Sequence, residues 1–405
     1  MNKKVISAML AASMAVSLAA CGSTATSEAS SAVSSETSST VASGESAASG
    51  SYTGTPIKVG GIGPITGAAA TYGNAVKNAE ELAVKEINAA NGSDVFDWKF
   101  EDDEHDAEKS VNAYNSLKDW GMQVLMGTVT SAPCVAVADK TNADNMFQIT
   151  PSGSSVECAQ NPNVFRVCFS DPDQGAASAT YIAENKLAEK IAVIYDSSDV
   201  YSSGIYEKFA AEAANQGLEI VDAEAFTADS NKDFSTQLQK AKDAGADLVF
   251  LPIYYTEASI ILTQADSMGY APTFFGCDGL DGLLGVENFN TELAEGVMLL
   301  TPFAADADDE KTQSFVTKYK EAYGDTPNQF AADAYDAIYI IKAAAEQAGV
   351  TPDMSVADIG SALESAMTEI SVDGLTGDSM TWQATGEVSK APKAVVIKDG
   401  AYSAM

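Results

Sequence analysis

From residue 57 onward, short apolar runs alternate with longer stretches whose apolar positions recur every three or four residues. IKVGGI (57–62) reads as a buried strand. Over 74–89, Ala75, Val76, Ala79, Leu82, Ala83 and Ile87 share one face of a 3.6-residue period, which predicts an amphipathic helix. The alternation continues with a strand at 98–101, a helix at 107–120, a strand at 123–126, a helix at 133–142 and a strand at 146–150. A second series opens with a helix near Gln174. It runs through IAVIYD (191–196), a helix to Gln216, LEIVDAEAF (218–226), a helix from Phe234, DLVFLP (247–252), a helix from Glu257 and a strand at 273–275. Two long helices, 308–323 and 329–348, follow, and KAVVIKD (393–399) reads as a last strand. Repeated β-α units predict parallel sheets with right-handed crossovers. Two such series predict an α/β protein of two doubly wound lobes.

The N-terminus departs from this rhythm. Lys3 and Lys4 precede an apolar stretch from Val5 to Ala20 that meets Cys21. A basic start, a short apolar core and small residues at its end make a secretory signal over 1–20. The core falls short of the ~20 apolar residues of a membrane span. Leu18-Ala19-Ala20-Cys21 resembles the bacterial lipobox, which implies that Cys21 is acylated and becomes the mature N-terminus. Residues 21–54 are almost all Ser, Thr, Ala, Gly and Glu, too poor in apolar surface to offset their chain entropy, and read as a flexible tether. The expected location is outside the cytoplasm, lipid-anchored to the bacterial cell membrane. The remainder, about 350 residues, exceeds one ordinary core and again points to two lobes.

Charge narrows the partners. Asp and Glu number 57 against 23 Lys and Arg, for a formal net charge of −34. Such a surface repels nucleic acid and anionic membrane faces. Of the five cysteines, Cys134, Cys158, Cys168 and Cys277 show no C-x-x-C spacing, so zinc and thioredoxin chemistry are not indicated. They could pair as disulfides or stay as buried thiols.

Candidate chemistry falls at the strand ends. GGIGPITG (60–67) sits where a dinucleotide fingerprint would, but its spacing is off and Pro64 removes an N–H that a phosphate cradle needs. The one histidine, His105, lies in EDDEHDAEK, which matches neither zinc nor EF-hand spacing and reads as a charged strand end and helix start. Ser131 in GTVTSAP lacks the G-x-S-x-G context and the histidine partner of a hydrolase nucleophile. What remains is binding. Thr66, Thr130, Ser131, Ser152, Ser154 and Ser155 place hydroxyls after the first, third and fourth strands. Hydroxyls and helix N-termini hold anionic groups without chemistry. The second lobe offers Tyr201, Tyr254, Tyr255 and Asp278 at its own strand tips.

Taken together, IKVGGIGPITGAAATYG, NAEELAVKEINAANG, DDEHDAEKSVNAYNSL, LMGTVTSAP, ITPSGSS, VFRVCFSDPDQG, IYDSSDVYSSG and VFLPIYYTEASIILTQADSMGYAPTFFGCDG resemble one family. It is the type I extracellular solute-binding proteins of ABC importers, in the leucine/isoleucine/valine-binding branch. The resemblance implies two α/β lobes joined by three crossovers with the ligand between them: 55–172 with 302–388 as one lobe, 173–301 with 389–405 as the other. It implies that Ser131 holds a ligand carboxylate. Ser154 and the Gly153 carbonyl would meet the ammonium, Asp278 would pair with it, and Tyr72, Tyr201 and Tyr254 would line the side-chain pocket. Two positions depart from the family pattern: Asp278 is usually Glu, and Ser154 is usually Thr. Arg166, near the first crossover, is expected as an ion-pair partner. The implied protein is a monomeric lipoprotein that delivers an aliphatic or branched-chain amino acid to a membrane permease, with no cofactor, metal or enzymatic activity. Another small solute, such as an amide or aromatic acid, or a sensory ectodomain for amino acids, are the alternative readings.

Overall fold

The computed structural model describes residues 54–405. The expected signal and tether, with Cys21, lie outside the described residues. The first sheet holds β1 (Ile57–Gly63), β2 (Phe96–Asp102), β3 (Val124–Gly127), β4 (Gln148–Thr150) and β5 (Val164–Arg166), all parallel, in the order β2-β1-β3-β4-β5. Helices α1 (Ala70–Asn91), α2 (Ala107–Trp120) and α3 (Ser131–Asp144) link them. The chain then crosses into α4 (Asp171–Asn185), β6 (Lys190–Asp196), α5 (Val200–Gln216), β7 (Glu219–Phe226), α6 (Ser235–Ala244), β8 (Leu248–Leu251), α7 (Tyr255–Ser267), β9 (Thr273–Gly276) and β10 (Met298–Thr301). It returns through α8 (Glu310–Tyr323), α9 (Gln329–Ala348) and α10 (Val356–Met367), of which α8 and α9 pack on α1. A third passage leads to β11 (Lys393–Lys398) and β12 (Ala401–Ala404).

The second sheet runs β12-β11-β10-β9-β8-β6-β7, with β6 to β10 parallel and β11 and β12 added as an antiparallel edge. Both doubly wound lobes read from the sequence are present. Strands β5, β10 and β12 and helix α10 were not visible in the hydrophobic pattern. Among the described residues no helix is long and apolar enough to cross a membrane.

Local chemistry explains the boundaries near the cleft. Strand β3, VLMG, is buried at every position, as a central parallel strand should be. Gly127 ends it with φ of 143°, and a Cβ there would sit 2.8 Å from the Ile62 carbonyl oxygen. Only glycine lets this tip turn so close to β1. At Gly73 a Cβ would lie 2.0 Å from the Pro64 carbonyl oxygen, so the glycine-rich first loop packs directly onto α1. Close packing of this kind accounts for Gly73 without a phosphate cradle. Asp106 caps α2 by accepting from the N–H groups of Glu108 and Lys109.

Two buried cations tie the passages between lobes. The Arg166 guanidinium donates to the carbonyls of Ser155 (3.0 Å) and Gly153 (3.4 Å), and to that of Ser154, and pairs with Glu387 at 3.3 Å. It is an ion-pair partner, as expected, and also the clamp of the loop after β4. Lys390 donates to the Val167 carbonyl and pairs with Asp333 of α9, both at 2.8 Å, with neither partner in contact with water. Removing one partner of such a pair leaves a bare buried charge, at a cost of about 3–5 kcal/mol. The first and third passages are therefore fastened to each other and to α9.

Candidate functional site

The carboxyl ends of the strands in both sheets face one another, as ligand sites of open α/β sheets do. Between them lies an enclosed cavity. Lobe one supplies Tyr72, Val129, Thr130, Ser131, Ser152 and Phe330, and lobe two supplies Tyr201, Tyr254, Asp278 and Gly279. The lobes are shut on each other. Tyr72 donates its hydroxyl to the Gly279 carbonyl (2.5 Å), the Thr71 N–H donates to the Tyr255 hydroxyl (3.2 Å), and Thr256 donates to the Ala68 carbonyl (2.9 Å). The space left is ≈ 10 Å³, about what one water molecule needs. A larger solute enters only when the lobes part or a wall residue turns aside.

The anion side is built from α3. Ser131 is its first residue, and its oxygen accepts from the Ser155 N–H at 3.2 Å, which leaves the hydroxyl proton free to donate. The N–H groups of Ser131 and Ala132 have no partner among the described residues, as the first turn of a helix dictates. Ser131 shares no bond with His105, whose Nδ1 lies 2.8 Å from the Thr130 hydroxyl instead. Ser131 therefore has no base coupled to it.

The cation side is built on lobe two. Asp278 begins a single 3-10 turn after β9, 3% exposed. Tyr201 donates to its Oδ1 at 2.7 Å and accepts from the Gly279 N–H at 3.0 Å, while the Gln174 side-chain oxygen accepts from the Asp278 N–H. Burial pushes the Asp278 carboxyl up to about 7; the charge of Asp333 adds to this, and the Tyr201 and Gln174 bonds oppose it. Asp171, at the start of α4, is fully buried with neither oxygen hydrogen-bonded. Burial lifts it well above the carboxylate range, the Asp278 charge adds, and the neighbouring Ser154 and Arg166 oppose. Burial likewise raises Asp199 to about 6, with the Asp196 charge adding. The cleft thus holds carboxyls in excess of the cations near them.

Aromatic rings form the remaining wall. Tyr201 and Tyr254 stack at 4.8 Å and 9°, and Tyr72 lies 4.2 Å from Phe330. Tyr72 and Tyr201 are pinned by their hydroxyls, whereas the buried Tyr254 hydroxyl has no partner.

Of the residues singled out from the sequence, Tyr72, Ser131, Tyr201, Tyr254 and Asp278 meet in this cavity, together with Thr130 and Ser152. Gly153 and Ser154 are buried and do not line it: the Gly153 N–H donates to Thr150, and the Ser154 hydroxyl is unpaired. Thr66 is not part of the site. It is exposed and donates to Asp102 at 2.6 Å. Phe330 and Asp171 went unnoticed in the sequence. Cys134, Cys158, Cys168 and Cys277 are buried free thiols. Among the described residues no group of His, Cys, Asp and Glu could hold a metal ion.

Comparison with known proteins agrees with this geometry. The family described as "Periplasmic binding protein" matches residues 56–401. The Leu/Ile/Val-binding protein homolog 3 of Brucella melitensis biotype 1 is 30% identical over 314 residues, 76% of this chain and 82% of its own. The leucine-, isoleucine-, valine-, threonine- and alanine-binding protein of Pseudomonas aeruginosa is 27% identical over 315 residues, 77% of this chain and 83% of its own. The crystal structure of the branched-chain amino acid transporter substrate-binding protein LivJ of Streptococcus pneumoniae, in complex with isoleucine, superposes with a TM-score of 0.78. It is 25% identical and covers 86% of this chain and 98% of that one.

The raised carboxyls carry a consequence for stability. Burial pushes Asp103, Asp278 and Asp281 up to about 7 in the shut fold. An acid whose folded pKa lies above its unfolded value binds more protons folded than unfolded, so stability falls as pH rises between the two values. The shut fold should melt at higher temperature at pH 5 than at pH 8, with a slope of up to about 1.4 kcal/mol per pH unit for each acid titrating. Melting curves across that range check it. A Tm that rises towards pH 8 would mean these carboxyls are not buried.

Proposed function

Because the chain is a member of the periplasmic binding protein family, in its branched-chain amino acid ABC transporter substrate-binding group, we propose that it captures an aliphatic or branched-chain α-amino acid in this cleft. It releases the amino acid to a membrane permease. The observation that carries this reading is the split of charge across one cavity. Free N–H and hydroxyl donors of Ser131 and α3 stand on one lobe, and the buried Asp278 carboxyl stands on the other. A zwitterion satisfies both at once. Its carboxylate takes the donors of α3, its ammonium replaces the missing cation beside Asp278, and its side chain lies among Tyr72, Tyr201, Tyr254, Val129 and Phe330. Ser154 and the Gly153 carbonyl meet the ammonium once the lobes adjust around it. The names of the relatives, which bind leucine, isoleucine and valine, support the aliphatic class.

Asp278 supplies the test. Asp278→Asn keeps the Tyr201 bond through the amide oxygen and removes the charge. A charge-assisted hydrogen bond is worth about 1.5–3 kcal/mol, so L-leucine should bind at least about tenfold more weakly to this variant. The pH profile adds a signature. The ammonium needs the ionised carboxyl, and the unliganded group titrates near 7. Wild-type affinity should therefore fall by up to about tenfold per unit as pH drops below 7, and Asp278→Asn should flatten that slope. Calorimetric titration between pH 5 and 8 reads both. Undiminished affinity in a folded Asp278→Asn removes the acid from the site.

The proposal extends to anchoring. LAAC at 18–21 supports acylation of Cys21, with the Ser-rich segment as a tether holding the lobes near the permease. The wild-type protein should fractionate with membranes, and Cys21→Ala should be released or left unprocessed. Soluble wild-type protein with an unmodified N-terminus would rule the anchor out.

A further inference from the structure

The single histidine of the chain does not line the cavity, but it touches two residues that do, Thr130 and Tyr254. His105 and the preceding Glu104 both adopt left-handed backbone, with φ of 60° and 51°. Two consecutive side-chain-bearing residues in that region are held there at a cost. Asp102 accepts from the Glu104 N–H and Asp103 accepts from the His105 N–H, each at 2.9 Å, and Asp103 is wholly buried. The acid cluster EDDEHD is thus a cradle that aims one imidazole. Its Nδ1 meets the Thr130 hydroxyl at 2.8 Å, and its ring stands edge-on to Tyr254 of the other lobe, 5.4 Å away at 84°.

Thr130 is the N-cap of α3, with the extended backbone that a capping threonine uses, yet its side chain caps nothing. An N-cap hydroxyl ordinarily accepts from the N–H of the second or third helical residue. Here the third residue is Pro133, which has no N–H, so the only target is Ala132. Ala132 is also one of the two N–H groups at the start of α3 without a partner among the described residues, next to Ser131, which lines the cavity. A threonine that capped its own helix would therefore consume a donor that the ligand carboxylate needs.

We propose that His105 is a positioning residue that holds the Thr130 hydroxyl away from Ala132 and so keeps the α3 N-terminus open for the ligand carboxylate. The proposal rests on the reading of α3 as the carboxylate site. When the lobes close, Tyr254 covers the outer edge of the same imidazole, so the hydroxyl stays held while the ligand is enclosed. Burial lowers the His105 pKa below its ordinary value, against the opposing charges of Asp106 and Asp196, and the neutral ring can accept the Thr130 proton at Nδ1.

The test needs no ligand for its first arm. In the ligand-free full chain labelled with nitrogen-15, amide exchange at Ala132 should slow by about tenfold in His105→Ala, because Thr130 then caps the helix. In His105→Ala/Thr130→Val it should return to the wild-type rate. The second arm uses L-leucine. Its Kd should rise about tenfold in His105→Ala, while Tm stays level or increases, and Thr130→Val should restore much of the lost affinity. A residue with only a structural role would lose Tm and gain nothing from removal of a second side chain. Unchanged exchange at Ala132 in a folded His105→Ala overturns the proposal, as does a second substitution that fails to rescue. If Ala132 exchange responds as stated but wild-type protein binds no amino acid, the carboxylate assignment fails and the positioning role stands.

Discussion

A carboxylate enclosed without a cation must find one, take up a proton or return to water. In this molecule the constraint falls on Asp278 and Asp171, shut together between two lobes. Arg166, the nearby guanidinium, is committed to three carbonyls and Glu387. Closure is therefore costly while the cleft lacks a positive charge, and an ammonium group removes that cost. On the proposed reading the same ligand would bring a carboxylate to the α3 N-terminus, where donors are equally without partners. With each lobe meeting one end of the solute, the solute would bind the closed form far better than the open one. That differential affinity is what allows a small molecule to drive a large rearrangement.

The scaffold makes this leverage usable. The loops after the parallel strands and the first turns of the helices that follow place most site residues at the facing edges of the two sheets, and Phe330 enters from α9. The passages between lobes are cross-tied by Arg166 and Lys390. Tyr72 and Tyr201 are held by their hydroxyls, and Tyr254 by its stacking on Tyr201.

How much of this could be read from the chain depended on local signals. Helix α9 was legible over its full length because its apolar stripe runs unbroken between the Asn328 cap and Gly349. Strand β10 was not, because three short 3-10 turns replace the helix that would have separated it from β9. Ser131, Tyr254 and Asp278 stood out as polar residues following apolar runs. Phe330 had no such mark: it enters from α9, whose first N–H is bound by Asp281 of the other lobe. Asp171 reads in sequence as an ordinary first-turn acid, and only its burial separates it from one. His105 was discounted with its acidic neighbours. Those acids bind backbone N–H groups and orient the imidazole, a relation that exists only after folding.

The central claim is that an amino acid closes the cleft by joining donors on one lobe to acids on the other. Small-angle X-ray scattering on the full chain at pH 7, with and without saturating L-leucine, tests it most directly, with binding verified in the same buffer by calorimetry. The account predicts a smaller radius of gyration in the liganded sample, and no contraction at the same leucine concentration when Asp278→Asn has reduced binding below saturation. Leucine bound to the wild-type protein with no change in radius would contradict it.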